Sequence, residues 1–120
     1  MVQSTPEPQV ASLSVRFFRS DKGNEPVRDW LHDLPRESRH QIGIQIKTVQ
    51  IGWPLGMPLV RKLEQGLWEI RLELDHMIAR LIFTIVDGAM ILLHGFIKKS
   101  QKTPAPDLAL ARQRKAALQR

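Results

Sequence analysis

Apolar residues recur along this chain with two different periods. Between residue 24 and about residue 51 they fall three and four apart. Val27, Trp30, Leu31 and Leu34 make one stripe; Ile42, Ile46 and Val49 make another, flanked by Ile44 and Ile51. That spacing predicts two amphipathic helices. Asn24 stands where an N-cap belongs, Glu25 and Pro26 suit a first turn, and Pro35 separates the two helices. The stretch IGWPLGMP (51–58) is built of helix breakers and must end the second one.

Beyond it the period becomes two. In LWEIRLEL (67–74) Trp68, Ile70, Leu72 and Leu74 alternate with Glu69, Arg71 and Glu73, which predicts a half-buried strand. MIARLIFTIV (77–86) is apolar on both faces apart from Arg80 and Thr84, as a central strand would be. Asp75-His76 marks a turn and Asp87-Gly88 a tight hairpin, so AMILLHGFI (89–97) becomes the last strand. An opening strand is expected in SVRFFRS (14–20). A closing helix is expected from Pro104 to about Gln119, capped by Thr103. Residues 1–13, with two prolines and few large apolar side chains, read as a flexible leader to a single domain over 14–120. The order β-α-α-β-β-β-α predicts an α+β fold with helices packed on one face of an antiparallel sheet.

Charge changes this picture, because it is unevenly placed. The chain nets +6, yet residues 1–93 balance to zero. The whole excess lies in 94–120, where Lys98, Lys99, Lys102, Arg112, Arg114, Lys115 and Arg120 face only Asp107. A basic end on a neutral body points to a polyanionic partner, nucleic acid or an acidic protein, against the plainer alternative of a solvated helix face. The absence of cysteine excludes disulfides and thiolate zinc sites and fits a reducing cytoplasm. No apolar run approaches the roughly 18 residues of a membrane span, and no secretory signal is visible at the N-terminus.

Several residues could carry chemistry. Arg80 interrupts an apolar strand, so its guanidinium needs either a carboxylate, Glu69 or Glu73, or an open cleft. Arg71 lies on the preceding strand; whether the two arginines share a face depends on register, which the sequence leaves open. The lysines at 98, 99 and 102 arrive where the last strand ends, and such like charges are best explained by a phosphate among them. His94 is a lone histidine in a strand, more often a satisfied residue than a catalyst. No metal-ligand spacing, nucleophile elbow or glycine-rich phosphate loop is present. Trp53 and Trp68 could stack on a base, although Trp68 suits a core better.

The segment GLWEIRLELDHMIARLIFTIVDGAMILLHGFIKKSQKTP resembles the core of RelE/ParE-superfamily toxins, in particular the phage-derived HigB-like branch. The likeness extends over about residues 14–119. It rests on LWEIR, ARLIF, DG and HGFIKKSQKTP in that order. It implies the toxin of a type II toxin–antitoxin system: a cytoplasmic endoribonuclease that cuts mRNA on the ribosome by attack of the 2′-hydroxyl on its own phosphate, without metal or other cofactor. Carried over by position, the catalytic set is Arg71, Arg80, Lys98 and Lys102, with Arg61, Lys62, Lys99 and His94 as RNA-binding residues. The implied partners are the ribosome, mRNA and an antitoxin, a helix-turn-helix protein encoded alongside. The same superfamily contains ParE-like poisons of DNA gyrase that act without nuclease chemistry. This chain has no tyrosine, which such nucleases can use, and an arginine is a poor base because it stays protonated. Lys98, Lys99 or Lys102 then remains as the base, with His94 in reserve.

Overall fold

The computed structural model describes residues 12–99 and 101–119. The chain runs β1 (Ser14–Phe17), α1 (Pro26–His32), α2 (Arg36–Gly52), β2 (Val60–Glu64), β3 (Leu67–Leu74), β4 (Met77–Val86), β5 (Ala89–Ile97) and α3 (Ala105–Ala117). This is the expected α+β fold with one strand more. Residues 1–11 of the expected leader lie outside the described residues; Leu13 is buried, and its N–H donates to the Gln50 carbonyl at 3.2 Å.

β2 was hidden by the breakers before it and by its own mixed composition, VRKLE. It exists because Gln65-Gly66 turns the chain back onto β3; Gly66 takes φ +79°, open to a residue without a Cβ. The Asp87-Gly88 turn forms as expected, both residues at positive φ (48° and 74°), as a two-residue hairpin of the right twist requires.

The strands lie in the order β1-β5-β4-β3-β2. From β2 to β5 every pairing is antiparallel, but β1 lies parallel to β5, so the sheet is mixed rather than wholly antiparallel. The reason is the two-helix excursion: α1 and α2 carry the chain across the sheet from the β1 edge to the β2 edge, and only the meander then returns.

The helices also divide between the faces. Val27, Ile42 and Val49 of α1 and α2 pack with Ile70, Leu72, Leu81, Phe83, Met90 and Leu92. Ala111 of α3 packs on the other side with Leu67, Ile82, Ile91 and Leu93. Helices on one face alone would have left that second apolar set of β4 and β5 in water. Neither predicted cap is made. Glu25, not Asn24, stands at the start of α1, and Pro104 precedes α3 while the Thr103 hydroxyl bonds elsewhere. Trp53 and Trp68 meet edge to face at 5.0 Å, and both contact Phe83, so each belongs to the core.

Trp30 of α1 lies flat against β5 at Gly95, where a Cβ would overlap the indole ring. Gly95→Ala should therefore lower the unfolding free energy by about 1–3 kcal/mol, the usual range for overpacking. Urea denaturation would show it, and a Trp30→Leu background should restore part of the loss.

Candidate functional site

Register decides what stands together. Arg71 of β3 is paired directly with Arg80 of β4, and Glu69 with Arg61 of β2 on one side and Ile82 on the other. Alternation then puts Arg61, Glu69, Arg71 and Arg80 on one face, the face of α3. α3 covers only the half around Leu67, Ile82 and Leu93. The remainder opens as a cleft of about 130 Å³, lined by Arg61, Glu69, Arg71 and Arg80 with Met57, Leu59 and Gln101 at its walls.

β5 joins this face through a bulge. Ile82 pairs with His94 but Phe83 with Leu92, which leaves Leu93 as an extra residue. Before it the odd-numbered residues Ala89, Ile91 and Leu93 face α3; after it the even-numbered ones do. Lys98 continues that set, its N–H donating to the Ile78 carbonyl at 2.7 Å.

Glu69 lies at the centre. Its side chain is 1% exposed, and a carboxylate so far from water must be neutralised where it stands. Oε1 accepts from Nη1 of Arg80 and, at 3.3 Å, from Nη2 of Arg61; Oε2 accepts from the Thr103 hydroxyl at 2.7 Å. The same hydroxyl accepts from Arg61 Nη2 at 3.1 Å. Arg80 thus has both things the sequence allowed it: a carboxylate partner and a place on a cleft. Its side chain is 8% exposed, and neither its Nε nor that of Arg61 has a hydrogen-bond partner among the described residues. A buried N–H left so costs about 1–3 kcal/mol. Arg71 is more open, at 37%, and bonds the exposed Glu73 at 3.3 Å.

The ammonium of Lys98 is held below its ordinary value, first by partial removal from water and then by the charges of Arg80, Arg71 and Arg61; Glu69 pulls the other way. A lysine shifted in this direction is more often neutral, the form in which it can act as a base. Lys99 and Lys102 are exposed on the segment that leads to α3.

Two expected residues stand elsewhere. Lys62 pairs with Trp68 and so belongs to the opposite face from Arg61. His94 faces α3, but Nε2 meets Asp107 at 2.6 Å, its ring stacks on Phe96 at 5.5 Å, and it does not line the cleft. The basic tail divides in the same way. Arg112 binds Glu64 through Nη2 at 2.6 Å, Arg114 donates to the Leu93 carbonyl at 2.7 Å, and Lys115 donates to the Gln65 carbonyl at 3.1 Å. Those three cations fasten α3 to the sheet. The sequence offers Glu69 as one of two carboxylates for Arg80; what it does not show is that Glu69 is buried and also holds Arg61 and Thr103, and Thr103 reads there only as a cap.

Fold and cleft define a small α+β protein, compatible with a RelE-like fold, whose sheet gathers guanidinium groups on one face. Residues 29–116 match the family described as phage derived protein Gp49-like, and the chain belongs to that family, a RelE/HigB-like toxin family of the toxin–antitoxin context. No curated protein matches the chain.

A pH titration follows from the position of Lys98. Its folded-state value lies below the unfolded one, so folding gains stability as pH rises from the lowered value towards the ordinary lysine value near 10.4, and loses it as pH falls back. Observed by NMR at the side-chain amine, Lys98 should titrate below the ordinary lysine value. Arg71→Gln should move it upward; an unchanged midpoint would show that Arg71 does not act on it.

Proposed function

We propose that the protein is the toxin of a type II toxin–antitoxin pair, of the phage-derived HigB-like branch, and that it cuts mRNA on the ribosome as an endoribonuclease in the cytoplasm. The observation that supports this reading is the convergence of Arg61, Arg71 and Arg80 on one cleft, with Lys98 beside them feeling their charge. Like charges gathered on a rigid sheet disfavour folding unless an anion is to be held there, and a phosphodiester is an anion that fits guanidinium donors.

In this mechanism Lys98, in its neutral form, takes the proton of the 2′-hydroxyl. The 2′-oxygen attacks phosphorus, the bond from phosphorus to the 5′-oxygen breaks, and the leaving oxygen receives a proton from Lys102. The products are a 2′,3′-cyclic phosphate and a 5′-hydroxyl. Arg80 and Arg61, fixed in the cleft, and Arg71 at its more open side hold the charge that grows on the phosphoryl oxygens. Arginine suits that task and lysine the proton transfer, because only lysine can be deprotonated at accessible pH. Lys99, exposed on the same segment, contacts the RNA backbone.

The test is single-turnover cleavage on translating ribosomes with mapped ends. Lys98→Ala should cut about 10²–10³-fold more slowly at saturating ribosomes, the loss of one positioned transition-state contact. Lys99→Ala should instead weaken binding, with a smaller salt slope. Parent-like cleavage by Lys98→Ala, or inhibition of gyrase by the parent without cut RNA ends, would overturn the reading.

An antitoxin follows from the same proposal: a helix-turn-helix protein whose acidic side chains meet the lysines at 98, 99 and 102. Co-expression of the neighbouring gene product should yield a stable complex and restore growth. A product that does neither argues against a toxin–antitoxin pair.

A further inference from the structure

Two guanidinium groups side by side repel each other, and each can swing on a long side chain. In this cleft neither tendency prevails, because a single carboxylate stands between them. Oε1 of Glu69 accepts from Arg80 and from Arg61, and Oε2 is taken by Thr103. The three partners come from β4, from β2 and from the segment just before α3, so one side chain ties together the parts of the chain around the site.

We propose that Glu69 is a positioning residue, whose buried carboxylate fixes Arg80 and Arg61 next to one another on the wall of the cleft, where a phosphate would meet them. The proposal rests on the reading of the cleft as a phosphodiester site. Glu69 is not the proton acceptor of that reaction. Its oxygens are occupied by three donors and its side chain is 1% exposed, so a 2′-hydroxyl has no route to it. The way it divides its oxygens is more telling. Arg80 and Arg61 both line the cleft, while the Nε of each is enclosed and without a partner among the described residues. A carboxylate placed only to neutralise Arg80 could have taken Nε and Nη together as a two-pronged pair. This one takes one Nη from each arginine.

The charge of Glu69 gives the proposal a sign. One negative charge beside the phosphate opposes binding, so its removal should not weaken the attraction for a polyanion. Its removal should instead loosen the arginines, and a loosened contact is felt where charge develops in the transition state. A residue that merely stabilised the fold would show neither effect once the folded fraction is accounted for.

The experiment compares the full-length parent with Glu69→Gln and, as the variant that keeps the charge, Glu69→Asp. On ribosomes, Glu69→Gln should bind at least as tightly as the parent and cleave about 10²-fold more slowly at saturation, the effect of a misplacement near an ångström. Glu69→Asp should recover part of that rate. A second readout needs no RNA. In the parent, the Nε–H signals of Arg61 and Arg80 should be sharp and slow to exchange with water; in Glu69→Gln they should broaden, while that of the exposed Arg28 stays as it was. Broadening in a protein whose parent does not cut RNA would sustain Glu69 as the anchor and dispose of the nuclease reading. Sharp, protected signals in Glu69→Gln, or a parent-like cleavage rate in that variant, would overturn the positioning role. If Glu69→Gln does not fold, Glu69→Asp carries the same decision: a parent rate with unperturbed arginine signals rejects it.

Discussion

A carboxylate almost sealed from water sets the terms for everything around it. Glu69 sits on the α3 face of the sheet, where it can remain charged only if donors surround it. Those donors are long side chains that must arrive from different strands. The register of three strands, the path of the chain into α3 and the burial of Arg80 are all consistent with that one requirement. Exchanging such a network for apolar residues is often neutral or favourable to stability. Its presence in a small domain is better understood through what the arginines can then do than through what they add to the fold.

Much of the architecture was legible because it follows from local rules. The alternation of LWEIRLEL sets the two faces of β3 before any partner is known, and Asp87-Gly88 dictates its own turn. The stripe of Val27, Trp30, Leu31 and Leu34 faces the larger core as its spacing requires. Non-local facts were not legible. β2 has no clear alternation of its own and becomes a strand by pairing with β3. The parallel placement of β1 depends on which sheet edge the meander leaves open. The second helical layer was implicit in β4, apolar on both faces, but no single segment states that α3 fills it.

The site was legible in its ingredients and not in its arrangement. Arg71 and Arg80 are two isolated charges in the sequence; a hairpin of known register makes them direct neighbours. The basic tail, one block of charge when read along the chain, divides in space. Arg112, Arg114 and Lys115 secure α3 through Glu64 and two backbone carbonyls, while Lys98, before the helix, feels the charge of the cleft arginines. Net charge could not separate anchoring cations from those beside an open site, because the difference lies in what each one meets.

The extra residue in β5 links two parts of the molecule that never touch. Trp30 needs Gly95 beneath it, and straight alternation through β5 would bring His94 opposite Leu81 instead, a ring under a ring. An aromatic side chain on the far layer thus enforces the offset at Leu93. The same offset hands the cleft side to Lys98 and turns Lys99 away from it. Two adjacent lysines are chemically equivalent; the choice between them is made by a tryptophan on the opposite side of the sheet.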